Sequence, residues 1–485
     1  MTTLAAPSLE NSASKSRTES ADRTGWLAHR IDNYEGLPFA DVLTAHDIDD
    51  ACAAEAITFG KVAKSFWTPA LTLWTFLSQV LHADKSCRAA VARAVVALAL
   101  SRAPQDVDTG NYCRARAKLT VPLLRRLTLQ VGNALEAEAP AAWRWHDRHV
   151  VLVDGFTVTL PDTVENQKVY PQPNTQKPGL GSPLLRAVVV LGLATAALQG
   201  LAVGPYQGKE SGETALLRTL LDRLAPGTIV LADRFYCSYF MVVLLQARGV
   251  DVVLRLHQRR ASDFRRGQRL GPNDHVISWA RPQRPAWMDE ELYAVMPESI
   301  QVREVRKKVT QPGYRVDELT VVTTLLDADQ YATEEIADLY HERWHVELDI
   351  RAIKASLQMD TLRCLTPFMV EKEIWAHFLG YNLIRKVAAQ AAQLRGVPPR
   401  AVSFTASLQV VVGAWSKLTE ASTAEQAELA AKLLRCLGKE KVGDRPGRCE
   451  PRAVKRRPKK QKLLTKPRAE ARAELLAQRA SGNPK

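Results

Sequence analysis

The spacing of apolar residues changes along the chain and divides it into regions. Through residues 59–137 the apolar positions form three runs, with the period of about 3.6 residues that is typical of amphipathic helices. Asp84 and Ser86 both suit the cap of the second run, and Pro122 suits the first turn of the third. The pattern therefore predicts a helical domain over residues 25–145.

Short apolar segments alternate with helical ones after His149. Two successive strands are predicted within 149–160, with Asp154 at the end of the first. Further strands are predicted at 228–234, at 250–256 and twice within 185–204, with helices near 211–224 and 239–248. Strands that alternate with helices indicate an α/β sheet, and ligands of such sheets gather at strand ends. The apolar run 187–204 approaches the length of a membrane span, but glycine and polar residues interrupt it. It is therefore predicted as two buried strands.

The alternation stops between Leu256 and Thr333. Pieces with strand character and several prolines fill this segment, which predicts a β-rich insertion. A long helix over residues 333–357 follows, then another over 370–393, and further helices within 406–437.

These regions give a multidomain α/β chain whose core is split by the insertion. The first residues are rich in Ser and Thr without periodicity, which is typical of disorder. The predicted segments are the disordered 1–24, the helical 25–145, the first core part 146–257, the insertion 258–325, the second core part 326–395, the helical 396–438 and the basic tail 439–485.

Composition narrows the class of partner. Of the 485 residues, 46% are hydrophobic and 24% are charged, which excludes a mainly disordered, collagen-like or coiled-coil chain. The net charge of +14 favours a polyanionic partner, and the segment 439–485, with 16 Lys and Arg against 5 acids, supplies most of it. Such a tail suits salt-sensitive, non-specific attraction to DNA. Seven scattered cysteines without a C-x-x-C pair fit a reducing compartment, so we expect a cytoplasmic protein with no membrane partner.

Acidic residues stand where α/β proteins build their chemistry. Asp154 and Asp233 each follow an apolar strand, and a third acid, Glu347, lies on the helix after the insertion. Three carboxylates from separate elements can hold two divalent ions, which activate a hydroxyl and stabilise the leaving oxygen in phosphoryl transfer. Hard Mg²⁺ takes such oxygen ligands without His or Cys. On one continuous helix, Tyr340, Arg343, Glu347 and Lys354 would share a stripe about 60° wide.

The stripe has the spacing of the Y-x2-R-x3-E-x6-K signature. In this spacing the chain resembles one large family of bacterial insertion-sequence transposases, the cut-and-paste DDE enzymes. The resemblance covers residues 110 to 390 and extends to the segments VLVDGF, GTIVLADRFY and EIWAHFLGYNLIR. It implies a ribonuclease-H-like core with a β-rich insertion before the catalytic Glu.

The resemblance also assigns an activity. It implies that Asp154, Asp233 and Glu347 are catalytic and bind two Mg²⁺ ions, for which Mn²⁺ can substitute. The implied reactions are hydrolytic nicking, a hairpin intermediate in many members, and strand transfer by the freed 3′-hydroxyl. The implied partners are double-stranded DNA, as terminal inverted repeats and as target, and a second copy of the chain in a synaptic complex.

Further residues are candidates for DNA contacts. Helical Arg and Lys residues such as Arg93 and Arg116 suit a DNA reader. The resemblance also implies that a Trp of the insertion stacks on a flipped base, for which Trp279 is the first candidate and Trp287 the second. The alternatives are a solvated helix face for the helical cations, a core aromatic for the tryptophans, and a solvated loop for the arginines near residue 260. The predicted DNA-binding set is Tyr340, Arg343, Lys354, Arg234, Trp279, Arg259, Arg260, Arg265 and Arg266.

Other function classes fit parts of the sequence. His341, Glu342 and His345 form the H-E-x-x-H pattern of zinc proteases. The metzincin continuation is missing, and on a continuous helix these residues point away from Glu347. A ribonuclease-H-like nuclease without end specificity would share the three acids. A DNA-binding protein without catalysis would not need them.

Overall fold

The computed structural model describes residues 39, 42–57, 59, 66–98, 108–308, 318–440, 442 and 464–480. The chain forms two compact units: residues up to Leu135 with Glu371–Lys441, and Glu136–Val370 with the segment from Val442 on. The predicted disordered segment 1–24 and most of the basic tail lie outside the described residues. Among the helices that are described, none combines the length and hydropathy needed to cross a membrane.

Helices make up the first unit, and a sheet with shorter helices makes up the second. The helices are α1 (Ala45–Ala54), α2 (Pro69–Leu81), α3 (Cys87–Leu98), α4 (Thr109–Lys118), α5 (Val121–Ala137), α6 (Val164–Val169), α7 (Glu213–Arg218), α8 (Tyr239–Gln246), α9 (Glu290–Ala294), α10 (Thr333–His341), α11 (Trp344–Arg351), α12 (Pro367–Arg395), α13 (Phe404–Glu420), α14 (Thr423–Leu437) and α15 (Arg468–Ala480). The strands are β1 (Val150–Thr159), β2 (Leu184–Gly192), β3 (Leu198–Pro205), β4 (Ile229–Ala232), β5 (Asp251–Arg255), β6 (Gln268–Gly271), β7 (Asp274–Ala280), β8 (Ser299–Lys308) and β9 (Glu318–Thr323).

Local sequence signals explain where the first helices begin. Thr68 caps α2 with a hydrogen bond of 3.2 Å, and Pro69 takes the first helical position, where its missing N–H costs nothing. Ser86 accepts a hydrogen bond from the Ala89 N–H at 3.1 Å and so caps α3. Pro122 lies in the first turn of α5. The cap predicted at Ser86 and the predicted proline position are therefore confirmed.

Two basic side chains of these helices face the inside of the first unit. Arg116 is buried and donates to Gln79 Oε1 at 2.9 Å, and the Tyr112 hydroxyl donates to the same oxygen at 2.7 Å. Arg93 donates to Ser78 Oγ at 2.7 Å. In these positions Arg93 and Arg116 stabilise the packing of helices.

The second unit is built on a nine-stranded sheet with the order β3-β2-β1-β4-β5-β9-β8-β7-β6. β1, β4 and β5 are parallel, whereas β2 and β3 are antiparallel to their neighbours. The part from β3 to β5 is the ribonuclease-H-like core, so the predicted fold class is confirmed. The two strands predicted within 185–204 are β2 and β3.

The strands of the β-rich segment continue the core sheet. β9 pairs antiparallel with β5, and β8 and β7 follow on its other side. Hydrophobic residues of β5, β8 and β9 share one buried cluster with α8, whose residues Tyr239–Leu245 are all buried. A helix that is apolar on every side requires such burial. The shared sheet and cluster give the core and the β-rich segment one hydrophobic interior.

The single helix predicted over residues 333–357 is wrong. The chain forms α10, then a tighter turn, then α11 and a π-helical turn at Ala352–Ser356. In the tight turn the N–H groups of Arg343, His345 and Val346 donate to carbonyls three residues back, at 3.0–3.1 Å. Such bonds advance the chain by about 120° per residue instead of 100°. Angles calculated for one continuous helix therefore do not hold across this turn.

Candidate active site

Asp154 lies within β1, at the point where the strand loses one neighbour. β1 pairs with β4 only up to Val153, whereas its pairing with β2 continues to Thr159. The sequence predicted two successive strands here, and the structure has one, because β2 pairs with β1 along its whole length beyond Val150. Asp154 still stands at the carboxyl end of the parallel part of the sheet.

The surroundings of Asp154 work against its negative charge. Burial raises its pKa to about 6, and the carboxylates of Glu213 and Glu347 add to the rise. The Gly155 N–H, which donates to Asp154 Oδ1 at 2.8 Å, and the Arg343 guanidinium act in the opposite direction. The local positive charge is therefore too small to hold this buried carboxylate in its ordinary ionisation range.

Asp233 follows β4 directly, on the strand adjacent to β1. Ala232 is paired with Val153, so the two aspartates leave the parallel pair at the same edge. Asp233 opens the short 3₁₀ turn Arg234–Tyr236, in which Arg234 is half-buried. Both acids thus stand at the carboxyl end of the parallel pairing between β1 and β4, although Asp154 lies within β1 and not after it.

Glu347 comes to the same region from α11. The Arg343 guanidinium donates to Glu347 Oε1 at 2.8 Å, and its other terminal nitrogen lies 3.7 Å from Asp154 Oδ2. The side chains of Arg343 and Asp154 are 16% and 22% exposed, whereas that of Glu347 is 40% exposed, so only the pair with Asp154 is largely shielded from solvent. Arg343 thus joins the acid of α11 to the acid of β1.

The other two signature side chains flank this ion-pair cluster. Tyr340 is buried, which raises the pKa of its hydroxyl, and Arg343 and Asp233 both act on it electrostatically. The Lys354 ammonium donates to the Thr157 carbonyl of β1 at 3.0 Å. The structure therefore brings the four signature residues into the neighbourhood of the two strand-end aspartates, in spite of the break between α10 and α11.

The donor set suits a divalent metal ion. Asp154, Asp233 and Glu347 offer the carboxylate oxygens that Mg²⁺ prefers. In the part of the chain that the structure describes, no three acidic, His or Cys side chains are close enough to hold an ion as they stand. Arg343 contacts two of the three acids instead. The residues fit the metal in chemistry, and their side chains must rotate to converge on it.

The predicted DNA-contacting arginines of the β5–β6 connection divide into two kinds. The side chains of Arg265 and Arg266 are 90% and 78% exposed and pair with Asp263. Arg259 is exposed as well, whereas Arg260 packs its guanidinium over the Trp279 ring at 4.0 Å. Three of the four therefore present their charge to solvent.

Trp279 is part of the hydrophobic interior. Its side chain pairs across the sheet with Ile300, only 4% of the residue is exposed, and the indole N–H donates to Glu304 Oε1 at 3.3 Å. The Arg260 guanidinium covers the ring. Trp287 is half-buried, and Arg218 lies 3.9 Å above its ring. Neither tryptophan offers a free ring face to a base in this conformation, so the stacking role stays a prediction that requires movement.

Two site residues were not predicted from the sequence. Glu213, at the start of α7, and Tyr236, in the turn after Asp233, meet beside Asp154, and the Tyr236 hydroxyl donates to Glu213 Oε2 at 3.4 Å. The spacing of these residues in the sequence does not indicate a site, because α7 and β1 come together only in the tertiary fold.

The H-E-x-x-H residues do not form a zinc site in the described structure. His341 ends α10 and His345 lies beyond the tight turn, so the two residues are not one regular helical turn apart. His345 Nε2 lies 2.9 Å from Glu342 Oε2, which pairs the proposed ligand with the proposed base. A zinc protease needs both His on one face of a continuous helix.

Known proteins were compared with the whole chain. The model of the transposase DDE domain matches residues 145–383. Transposase InsG of insertion sequence element IS4 from Escherichia coli K12 is 27% identical over 397 residues, which cover 80% of this chain and 85% of that protein. The transposase of insertion sequence element IS421 from Escherichia coli is 32% identical over 80 residues, 16% of this chain and 21% of that protein.

A cryo-EM structure of the piggyBac transposase synaptic complex with hairpin DNA is similar at a TM-score of 0.42 and 9% identity, over 83% of each chain. The DDE-domain match spans Asp154, Asp233 and Glu347 together with the whole four-residue signature. The chain belongs to the bacterial insertion-sequence DDE transposases and is a DNA-cleaving transposase.

Proposed function

We propose that this transposase binds the ends of its element, cleaves them by metal-dependent phosphoryl transfer, and joins the freed 3′-hydroxyl ends to target DNA. The cleavage site consists of Asp154, Asp233 and Glu347. The observation that carries this proposal is the position of Arg343, which contacts Glu347 at 2.8 Å and approaches Asp154 to 3.7 Å. It ties the signature helix to the edge of the sheet where both aspartates stand.

The three acids are the residues that would hold Mg²⁺ or Mn²⁺. When bound, two such ions polarise the scissile phosphate, activate the attacking oxygen and stabilise the leaving oxygen. The strand edge fixes the backbones of Asp154 and Asp233, and α11 supplies Glu347 from the opposite direction. Asp154 and Arg343 are mostly buried, which strengthens the charge interaction between these two side chains.

The signature cations suit the DNA backbone of the transposon end. Arg343 has a planar guanidinium that can bind phosphate oxygens in pairs, whereas Lys354 acts as a point charge. Tyr340 is buried against this site and orients the side chains around it. Arg234 follows the catalytic Asp233 directly, and its proposed role is to contact the same DNA backbone.

A second group of cations suits DNA farther from the cleaved bond. Arg259, Arg265 and Arg266 are exposed on one connection, where their side chains can contact phosphates. Trp279 remains a candidate for base stacking only if Arg260 releases its ring. These contacts would position the DNA and would not read its sequence.

Assembly and intermediates follow from the family. The proposed active form is a homodimer on two ends, since coordinated cutting of both ends needs two sites. A hairpin on the cut end is the proposed intermediate, and the helical segment 25–145 is the proposed reader of the terminal repeats. The proposed location is the bacterial cytoplasm, where the DNA lies.

End-specific cleavage tests the proposal. Purified full-length protein with Mg²⁺ is given a duplex that carries the terminal sequences of its element and a duplex with those sequences scrambled. We expect double-strand cuts at the ends of the first duplex only, none with EDTA, and a hairpin visible on a denaturing gel. Equal cutting of both duplexes would identify a nuclease without end specificity, and a metal-independent reaction would contradict the proposed chemistry.

A further inference from the structure

Glu213 occupies a place in the active site that only a glycine leaves open. A Cβ atom at Gly155, next to Asp154, would lie 2.4 Å from Glu213 Cδ and 2.7 Å from Glu213 Oε1. Real Cβ atoms do not tolerate such distances, so any larger residue at position 155 would displace the Glu213 side chain. The backbone conformation of Gly155 does not require glycine, because it has an ordinary negative φ within β1. The contact with Glu213 is therefore what a side chain at position 155 would disturb.

Tyr236 holds the other side of the Glu213 carboxylate. This tyrosine is buried and belongs to the 3₁₀ turn that Asp233 opens. Its hydroxyl donates to Glu213 Oε2 at 3.4 Å. Glu213 thus contacts the strand that carries Asp154 and the turn that carries Asp233, so it links the supports of both aspartates.

The charge of Glu213 is not neutralised within the described residues. Asp154 and Glu347 both pair with Arg343, whereas Glu213 has no basic side chain within 4.0 Å in the described ranges. A half-buried carboxylate without a cation costs free energy, which a bound cation recovers.

We propose that Glu213 is a fourth acidic residue of the cleavage site, a positioning residue that holds Asp154 and Asp233 in register and strengthens the binding of the divalent ion through its charge. The inference rests on the proposed function, because it presupposes metal binding by Asp154. Glu213 does not replace any of the three acids. It acts through the backbone of β1 and through the field that it places on Asp154.

Measuring Mn²⁺ binding by variants separates the effect of the charge of Glu213 from the effect of its shape. Glu213→Gln keeps the side-chain length and an oxygen that can accept from Tyr236, but removes the charge. We expect the Mn²⁺ dissociation constant of the full-length protein, measured by electron paramagnetic resonance of free Mn²⁺, to rise about tenfold, as for outer residues of other metal sites. Tyr236→Phe keeps the charge and is expected to change Mn²⁺ binding by much less. Gly155→Ala, which displaces Glu213, should weaken Mn²⁺ binding as Glu213→Gln does.

The matched control is Glu210→Gln, which removes an exposed acid that pairs with Arg218 in the same connection. It should bind Mn²⁺ like the wild type, and all variants should keep the wild-type melting temperature within a few degrees. Wild-type Mn²⁺ affinity in Glu213→Gln would overturn the inference, provided that Asp154→Asn loses Mn²⁺ binding. If Asp154→Asn also binds Mn²⁺ normally, the proposed cleavage site itself is wrong.

Discussion

Glu347→Gln is expected to abolish cleavage of transposon-end DNA while leaving DNA binding intact. The amide keeps the size of the side chain but offers neither the charge that Arg343 contacts at 2.8 Å nor an anionic ligand. Loss of a group that stabilises charge in the transition state costs ~4 kcal/mol, which is about a thousandfold in rate. Single-turnover cleavage of an end duplex with Mg²⁺ measures the rate, and a gel-shift titration measures the binding. Asp154→Asn and Asp233→Asn should show losses of the same order.

Glu342→Gln is the matched control for this experiment. Glu342 lies five residues before Glu347 and pairs with His345 outside the cluster around Asp154. We expect cleavage within about twofold of the wild type, since surface substitutions away from a site change free energies by about 0.5 kcal/mol or less. The opposite pattern, in which Glu342→Gln is inactive and Glu347→Gln is active, would contradict the assigned acids and revive the zinc-site alternative.

Arg303→Met is expected to destabilise the second unit by about 3–5 kcal/mol, because it leaves a buried carboxylate without its cation. Arg303 is fully buried and donates through Nε to Asp274 Oδ1 at 2.9 Å and through Nη1 to the Tyr331 carbonyl at 2.7 Å. The Thr333 hydroxyl, at the start of α10, donates to the same carboxylate at 2.6 Å. This network fastens β7 and β8 to the helix that leads into the signature. Urea denaturation followed by circular dichroism measures the loss.

Two variants show whether the uncompensated charge causes the loss. Asp274→Asn added to Arg303→Met should recover part of the stability, because the buried negative charge is then removed. Arg265→Met removes an arginine whose side chain is 90% exposed, and it should leave the unfolding midpoint unchanged. If Arg265→Met and Arg303→Met had equal effects, the buried network would not be what stabilises the β-rich segment.

The strand-end acids could be predicted because they depend on local patterns. An apolar run followed by an acid marks the end of a buried parallel strand, and the register of β1 with β4 places Asp154 and Asp233 at one edge. The spacing from Tyr340 to Lys354 identified Glu347 in the same way. The prediction of one regular helix was wrong, because hydrogen bonds to carbonyls three residues back tighten the chain around Arg343.

Residues that depend on long-range packing could not be predicted. Glu213 reaches Gly155 only when α7 has docked on the sheet, and no period in the sequence records that contact. The burial of Trp279 follows from its pairing with Ile300 across two strands. An aromatic residue in a strand looks the same in sequence whether it faces the interior or the solvent. Sequence patterns therefore located the acids but not the residues that position them.

The most direct test of the cleavage site is the metal preference of Asp154→Cys. A thiolate at this position is a poor ligand for hard Mg²⁺, whereas Mn²⁺ accepts sulfur more readily. We predict that Asp154→Cys cuts end-bearing DNA with Mn²⁺ but not with Mg²⁺, and that Asp154→Ala is inactive with both metals. Cutting by Asp154→Cys at the wild-type rate with Mg²⁺, or by Asp154→Ala with either metal, would show that Asp154 does not hold the catalytic ion.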